Sequence, residues 1–142
     1  LNFSQAANRV MQQQAEGGVI INIASVSGER PSPGTAAYGA AKAGLLNLTK
    51  SLAVEWAPKV RVVGITCGMI RTEQAHLHYG DDKGIAAVEA TVPLNRLATP
   101  EDIGNACIFL ASPLASYISG SSLLVHGGGE KPAFLDAGNA HN

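Results

Sequence analysis

Tyr38 and Lys42 stand four positions apart, which puts them one turn from each other if the stretch is helical. A free phenol holds its proton to about pH 10, and an ammonium one turn away favours the phenolate. A tyrosine tuned in this way can pass a proton to or from a carbonyl or alcohol oxygen near neutral pH. Ser25 precedes the tyrosine by thirteen residues, at the end of an apolar run. Its hydroxyl both donates and accepts, so it can hold that same oxygen in place.

The elements that must position these groups follow from the hydrophobic pattern. Val19 to Ala24 is a continuous apolar run rich in branched residues, the pattern of a strand buried on both faces. Residues 25–34 read as a loop punctuated by Gly28, Pro31, Pro33 and Gly34. Ala36 to Ala57 reads as a long helix with an apolar stripe of Leu45, Leu48, Leu52 and Trp56, ended by Pro58. Its first turns, rich in alanine and glycine, offer a small-sided surface. Val60 to Thr66 is a second apolar strand. Strand, helix and strand of this kind make the crossover unit of a parallel sheet.

The flanks are read the same way. Residues 2–15 look like the end of a helix, with Phe3, Ala6, Ala7, Val10 and Met11 inward and Gln12, Gln13 and Gln14 outward. Residues 73–92 suggest two short helices around Gly80-Asp81-Asp82. Thr99 and Pro100 open a further helix with Ile103, Ala106, Cys107, Leu110 and Ala111 buried, and Leu123 to Val125 is a short last strand. The formal net charge is −1 with no basic patch, which leaves nucleic-acid binding without an electrostatic basis. No apolar run approaches the roughly 20 residues needed to span a bilayer. Two cysteines, Cys67 and Cys107, make no disulfide framework, so a reduced, cytoplasmic protein is expected.

Around the central pair the chain resembles the short-chain dehydrogenase/reductase family. The matching residues are Asn22-Ile23-Ala24-Ser25, Gly28, Pro33-Gly34, Tyr38-Gly39-Ala40-Ala41-Lys42-Ala43-Gly44, Pro100-Glu101-Asp102-Ile103 and Ser119-Gly120. The resemblance runs from the first residues to about Gly129. It implies a doubly wound, Rossmann-type α/β domain with a parallel sheet, over residues 1–129, with residues 130–142 as a loosely ordered tail. The family's Gly-rich cofactor turn has no counterpart here, so the chain reads as the carboxyl-terminal, catalytic half of such a domain.

The resemblance also implies an activity, the interconversion of a small-molecule carbonyl and a secondary alcohol with NAD or NADP. Tyr38 would be the general acid/base, Ser25 would orient the substrate oxygen, and Lys42 would tune the tyrosine and hold the nicotinamide ribose. Gly68, Ile70 and Thr72 fall where the family contacts the cofactor. The usual Pro-Gly is replaced here by Cys67-Gly68, and Val63 stands where asparagine is common. A homodimer or homotetramer is implied as well. The competing reading is a non-catalytic remnant that serves only as a dimerisation module.

Other polar residues have plainer readings. Asn22, inside an apolar strand, reads as a structural bridge between neighbouring strands. Cys67 reads as a small buried hydrophobe rather than a reactive thiol. His76 and His78 lack further ligands at metal-binding spacing and read as a solvated segment. Arg96 reads as structural, and His126 stands where the family carries aspartate.

Overall fold

The computed structural model describes residues 1–138, and they resolve into two compact units. Leu1–Cys67 and Glu101–Val125 form the first. Gly68–Pro100 and residues 126–138 form the second. Of the expected tail, residues 130–138 are described and include a short helix, Phe134–Ala137, while residues 139–142 lie outside the described residues.

In the first unit the sheet is three-stranded and parallel, in the order β1 (Gly18–Ser25), β2 (Val60–Cys67), β3 (Ser122–Val125). Gly18 pairs with Val60 and Ser25 with Cys67, while Gly64 pairs with Ser122 and Cys67 with Val125. Helix α1 (Asn2–Met11) precedes β1, and α2 (Ala36–Trp56) makes the crossover between the first two strands. This is the α/β, parallel-sheet architecture that the strand–helix–strand pattern predicts. The middle strand carries the core. Val62, Val63 and Ile65 are fully buried, and Leu52, Ala53 and Trp56 of α2 pack with Val60 and Val62.

Several expectations change. Strand β1 is only half-buried along much of its length, with Ile23 exposed, because among the described residues it has a strand on one side alone. Helix α1 stops at Met11 and buries none of its residues; Phe3 and Val10 face outward. Gln12, expected to point outward, instead donates to the Trp56 carbonyl at 3.0 Å. Strand β2 is also not purely apolar. Arg61 lies half-buried and donates to the carbonyls of Leu110 (2.9 Å) and Ile118 (3.1 Å). Leu110 belongs to the helix Pro100–Ala111, whose buried residues are Ile103 and Leu110, a narrower face than the sequence suggests.

The second unit is built from short pieces. Helices α3 (Ala75–Tyr79) and α4 (Asp82–Glu89) flank Gly80. Asp81 caps α4, its side chain accepting from the Gly84 amide at 3.0 Å. Ala75, Ile85 and Leu97 form a small core, with Met69, Tyr79 and Val88 packed against it.

Candidate active site

Ser25 is the last residue of β1, and its backbone turns directly into a 3-10 turn, Val26–Gly28. Its hydroxyl oxygen accepts from the Ser27 amide at 3.2 Å. That bond occupies a lone pair and leaves the hydroxyl proton to be donated elsewhere. The side chain is buried, in a position set by both strand and turn.

Tyr38 and Lys42 occupy the first two turns of α2. Tyr38 is 49% exposed, open to a reactant on one side. The Lys42 ammonium lies 5.5 Å from the centre of the tyrosine ring, as the four-residue spacing requires. It also donates to the Ile23 carbonyl at 2.8 Å, two residues before Ser25. The helix is thus tied to the strand beside the serine.

Two glycines make the approach close. A Cβ on Gly28 would meet the Ala43 amide nitrogen and the Lys42 carbonyl carbon, both at 2.7 Å. One on Gly39 would meet the Ser27 carbonyl oxygen at 2.8 Å. The turn that follows Ser25 therefore sits flush on the stretch of helix between Tyr38 and Lys42. The sequence marks Gly28 only as loop punctuation and a family match, and it ascribes Gly39 no role of its own.

Other polar contacts brace this loop. Thr66, fully buried on β2, donates to the Glu29 carboxylate at 3.1 Å and shares a 2.7 Å hydrogen bond with Ser122. Nothing in the spacing of Glu29 signals that contact. Contrary to expectation, Asn22 bridges strand to helix and not strand to strand: its amide donates to Thr49 on α2 at 2.9 Å. An even-numbered position on β1 faces the helix, as Ile20 does, so the amide finds its partner there. Burial pushes the Cys67 thiol above its ordinary value, with Lys42 drawing it partly back and Cys107 adding to the rise. The thiol form persists at neutral pH, in line with the plainer reading of that residue.

Gly68, Ile70 and Thr72 belong to the second unit. Gly68 lies against His126, where a side chain would meet the histidine Cβ at 2.7 Å. Ile70 forms a parallel bridge with Ala98, and the neighbouring Arg71 amide donates to the Ala98 carbonyl at 2.8 Å. Thr72 is exposed. His78 stacks at a tilt on Tyr79, 6.2 Å between ring centres. No group of three metal-binding side chains occurs among the described residues, and no helix there is long and apolar enough to cross a membrane.

The chain belongs to the short-chain dehydrogenase/reductase family. A family model described as enoyl-(acyl carrier protein) reductase matches residues 1–130. A probable 2,4-dienoyl-CoA reductase of Bacillus subtilis is 42% identical over 128 residues, covering 88% of this chain and 50% of its own. A 3α-hydroxysteroid dehydrogenase of Mediterraneibacter gnavus is 41% identical over 127 residues, covering 89% and 50%. Among solved structures, a 7α-hydroxysteroid dehydrogenase complexed with NADH and 7-oxo glycochenodeoxycholic acid aligns with a TM-score of 0.80. Its identity is 35%, over 91% of this chain and 50% of that one. The chain spans about half the length of these three relatives. Its fold is the Rossmann type that the resemblance implies.

Proposed function

We propose that this chain supplies the proton-transfer groups of an NAD(P)-dependent oxidoreductase acting on a carbonyl–secondary alcohol pair. The observation that carries the reading is the Lys42 ammonium, 5.5 Å from the Tyr38 ring and bonded to the strand two residues before Ser25. In reduction the Tyr38 hydroxyl gives its proton to the carbonyl oxygen; in oxidation it takes the alcohol proton. Ser25, its oxygen already accepting from Ser27, donates its own proton to the same substrate oxygen. Lys42 holds positive charge beside the phenol and stabilises the phenolate that forms.

The donor set fits a nicotinamide dinucleotide. Lys42 donates one N–H to Ile23 and has others for a ribose hydroxyl. When bound, the nicotinamide supplies or accepts the hydride. Gly68, Ile70 and Thr72 are proposed as cofactor contacts on family resemblance alone. NADH in the related hydroxysteroid dehydrogenase supports the cofactor class. Exposed Phe3 and Val10 on α1 support a homodimer or homotetramer, and the cytoplasm is the proposed location.

The test is a fluorescence titration of the purified protein with NADH and NADPH, beside turnover of secondary alcohols. Saturable binding and turnover are expected. Turnover should fall by about 10²–10⁴ in Tyr38→Phe, with the melting temperature unchanged. Retained turnover in that variant removes Tyr38 from the role, and absence of binding removes the cofactor.

A further inference from the structure

We propose that the Asn22–Thr49 hydrogen bond is a positioning device that sets the register of the Tyr38 helix on the Ser25 strand. This role rests on the function proposed above. The Asn22 amide donates to the Thr49 hydroxyl at 2.9 Å, and that hydroxyl donates to the Leu45 carbonyl at 2.8 Å. Thr49 gives its single hydroxyl proton to Leu45, so toward Asn22 it can act only as an acceptor. The pair has one polarity and one geometry.

Its surroundings give the bond its leverage. Thr49 is buried, and the neighbouring contacts between helix and sheet, among Ile20, Leu48, Leu52 and Val62, are apolar. Such contacts are non-directional and tolerate sliding of helix on strand. A directional bond from a half-buried amide to a buried hydroxyl does not, because a displaced amide is left unpaired. Thr49 lies seven residues after Lys42, two turns along the same face. Lys42 holds Ile23 and Thr49 holds Asn22, so two successive strand residues are gripped at two heights on the helix.

The other end of the helix has no slack to absorb a slide. Gly28 rests on the Lys42–Ala43 peptide, and Gly39 lies under the Ser27 carbonyl. Movement of α2 along β1 would displace the Ser27 peptide, whose N–H orients Ser25. Asn22 and Thr49 touch no reacting atom. They act through Ser25 and Tyr38.

The test compares Thr49→Val with Asn22→Leu/Thr49→Val in the purified protein. The single variant leaves a half-buried amide without its partner and should melt lower. The double variant replaces both partners with apolar groups and should recover most of that loss. In the double variant kcat should nevertheless stay about tenfold or more below the unmodified protein, with KM little changed. Amide hydrogen exchange gives a readout that needs no turnover. Ser27 and Gly39 should exchange at least about tenfold faster in the double variant, while β2 amides keep their protection. Thr49→Ser, which retains the hydroxyl, should restore both readouts and serves if the double variant does not fold. Unchanged exchange at Ser27 and Gly39 overturns the inference. Absent turnover in the unmodified protein overturns the proposed function instead, and the exchange result still decides the positioning role.

Discussion

The two compact units are ordered by different means. The first has an eight-residue central strand and a 21-residue helix, with Val62, Val63 and Ile65 fully buried. The second has helices of five, eight and four residues and a small core of Ala75, Ile85 and Leu97. Isolated helices below about 12–15 residues are marginal in water, so the second unit depends on caps, turns and its small core. Burial holds the first unit, and local backbone chemistry holds much of the second. Ser25, Tyr38 and Lys42 all stand on the unit held by burial.

That contrast can be broken most sharply with a pair of variants in the first unit. Tyr38→Phe should cost about 10²–10⁴ in turnover and nothing in thermal stability. Ile65→Ala should cost about 2–5 kcal/mol of stability, read by denaturant unfolding. Equal effects of the two on both measurements would show that site and core are not separable there. Next, Ile85→Ala in the second unit should speed amide exchange across residues 75–97 while β2 amides hold their protection. Exchange rising equally in β2 would show one cooperative unit instead of two.

A smaller effect concerns pH. Burial raises the folded-state value of the Cys67 thiol above its ordinary 9.0. The folded protein therefore keeps this proton to higher pH than the unfolded chain does. The stability it contributes is fully present below the ordinary value and is lost as pH rises through the folded one. The slope is at most about 1.4 kcal/mol per pH unit. Cys67→Ala should flatten that alkaline decline in urea melts, and an unchanged slope would assign it to other groups. The smallest effect is expected at Arg71 and Glu89, 3.6 Å apart with the arginine largely exposed. Arg71→Ala should change stability by less than about 1 kcal/mol, less still in high salt.

The first unit was largely legible in the sequence. Branched runs marked β1 and β2, Pro58 marked the end of α2, and the Tyr38–Lys42 spacing placed both residues on one face. What escaped were contacts made across sequence distance by residues with ordinary local patterns. Glu29 meets Thr66, Arg61 reaches Leu110 and Ile118, and Asn22 finds a helix instead of a strand. A charged residue inside an apolar strand was a usable signal for Arg61; the loop composition around Glu29 offered none. In the second unit the two short helices were legible from the break at Gly80, but the bridge between Ile70 and Ala98 was not. Its geometry depends on turns such as the one at Asn95, where φ is 55°, and not on any period.

The first unit is also discontinuous along the chain, and this bears on the order in which it can assemble. Strands β1 and β2 with α2 between them are contiguous, and their register partners stand 42 positions apart (60 minus 18). Strand β3 pairs Ser122 with Gly64, a separation of 58 positions (122 minus 64), with the second unit's main segment in between. Both pairings are non-local, and the longer loop adds little cost for β3, since closure entropy grows slowly with length. On a ribosome the β1–α2–β2 unit emerges complete while β3 is still unsynthesised. The placement of Ser25, Tyr38 and Lys42 therefore precedes the pairing of β3, which arrives as a later reinforcement.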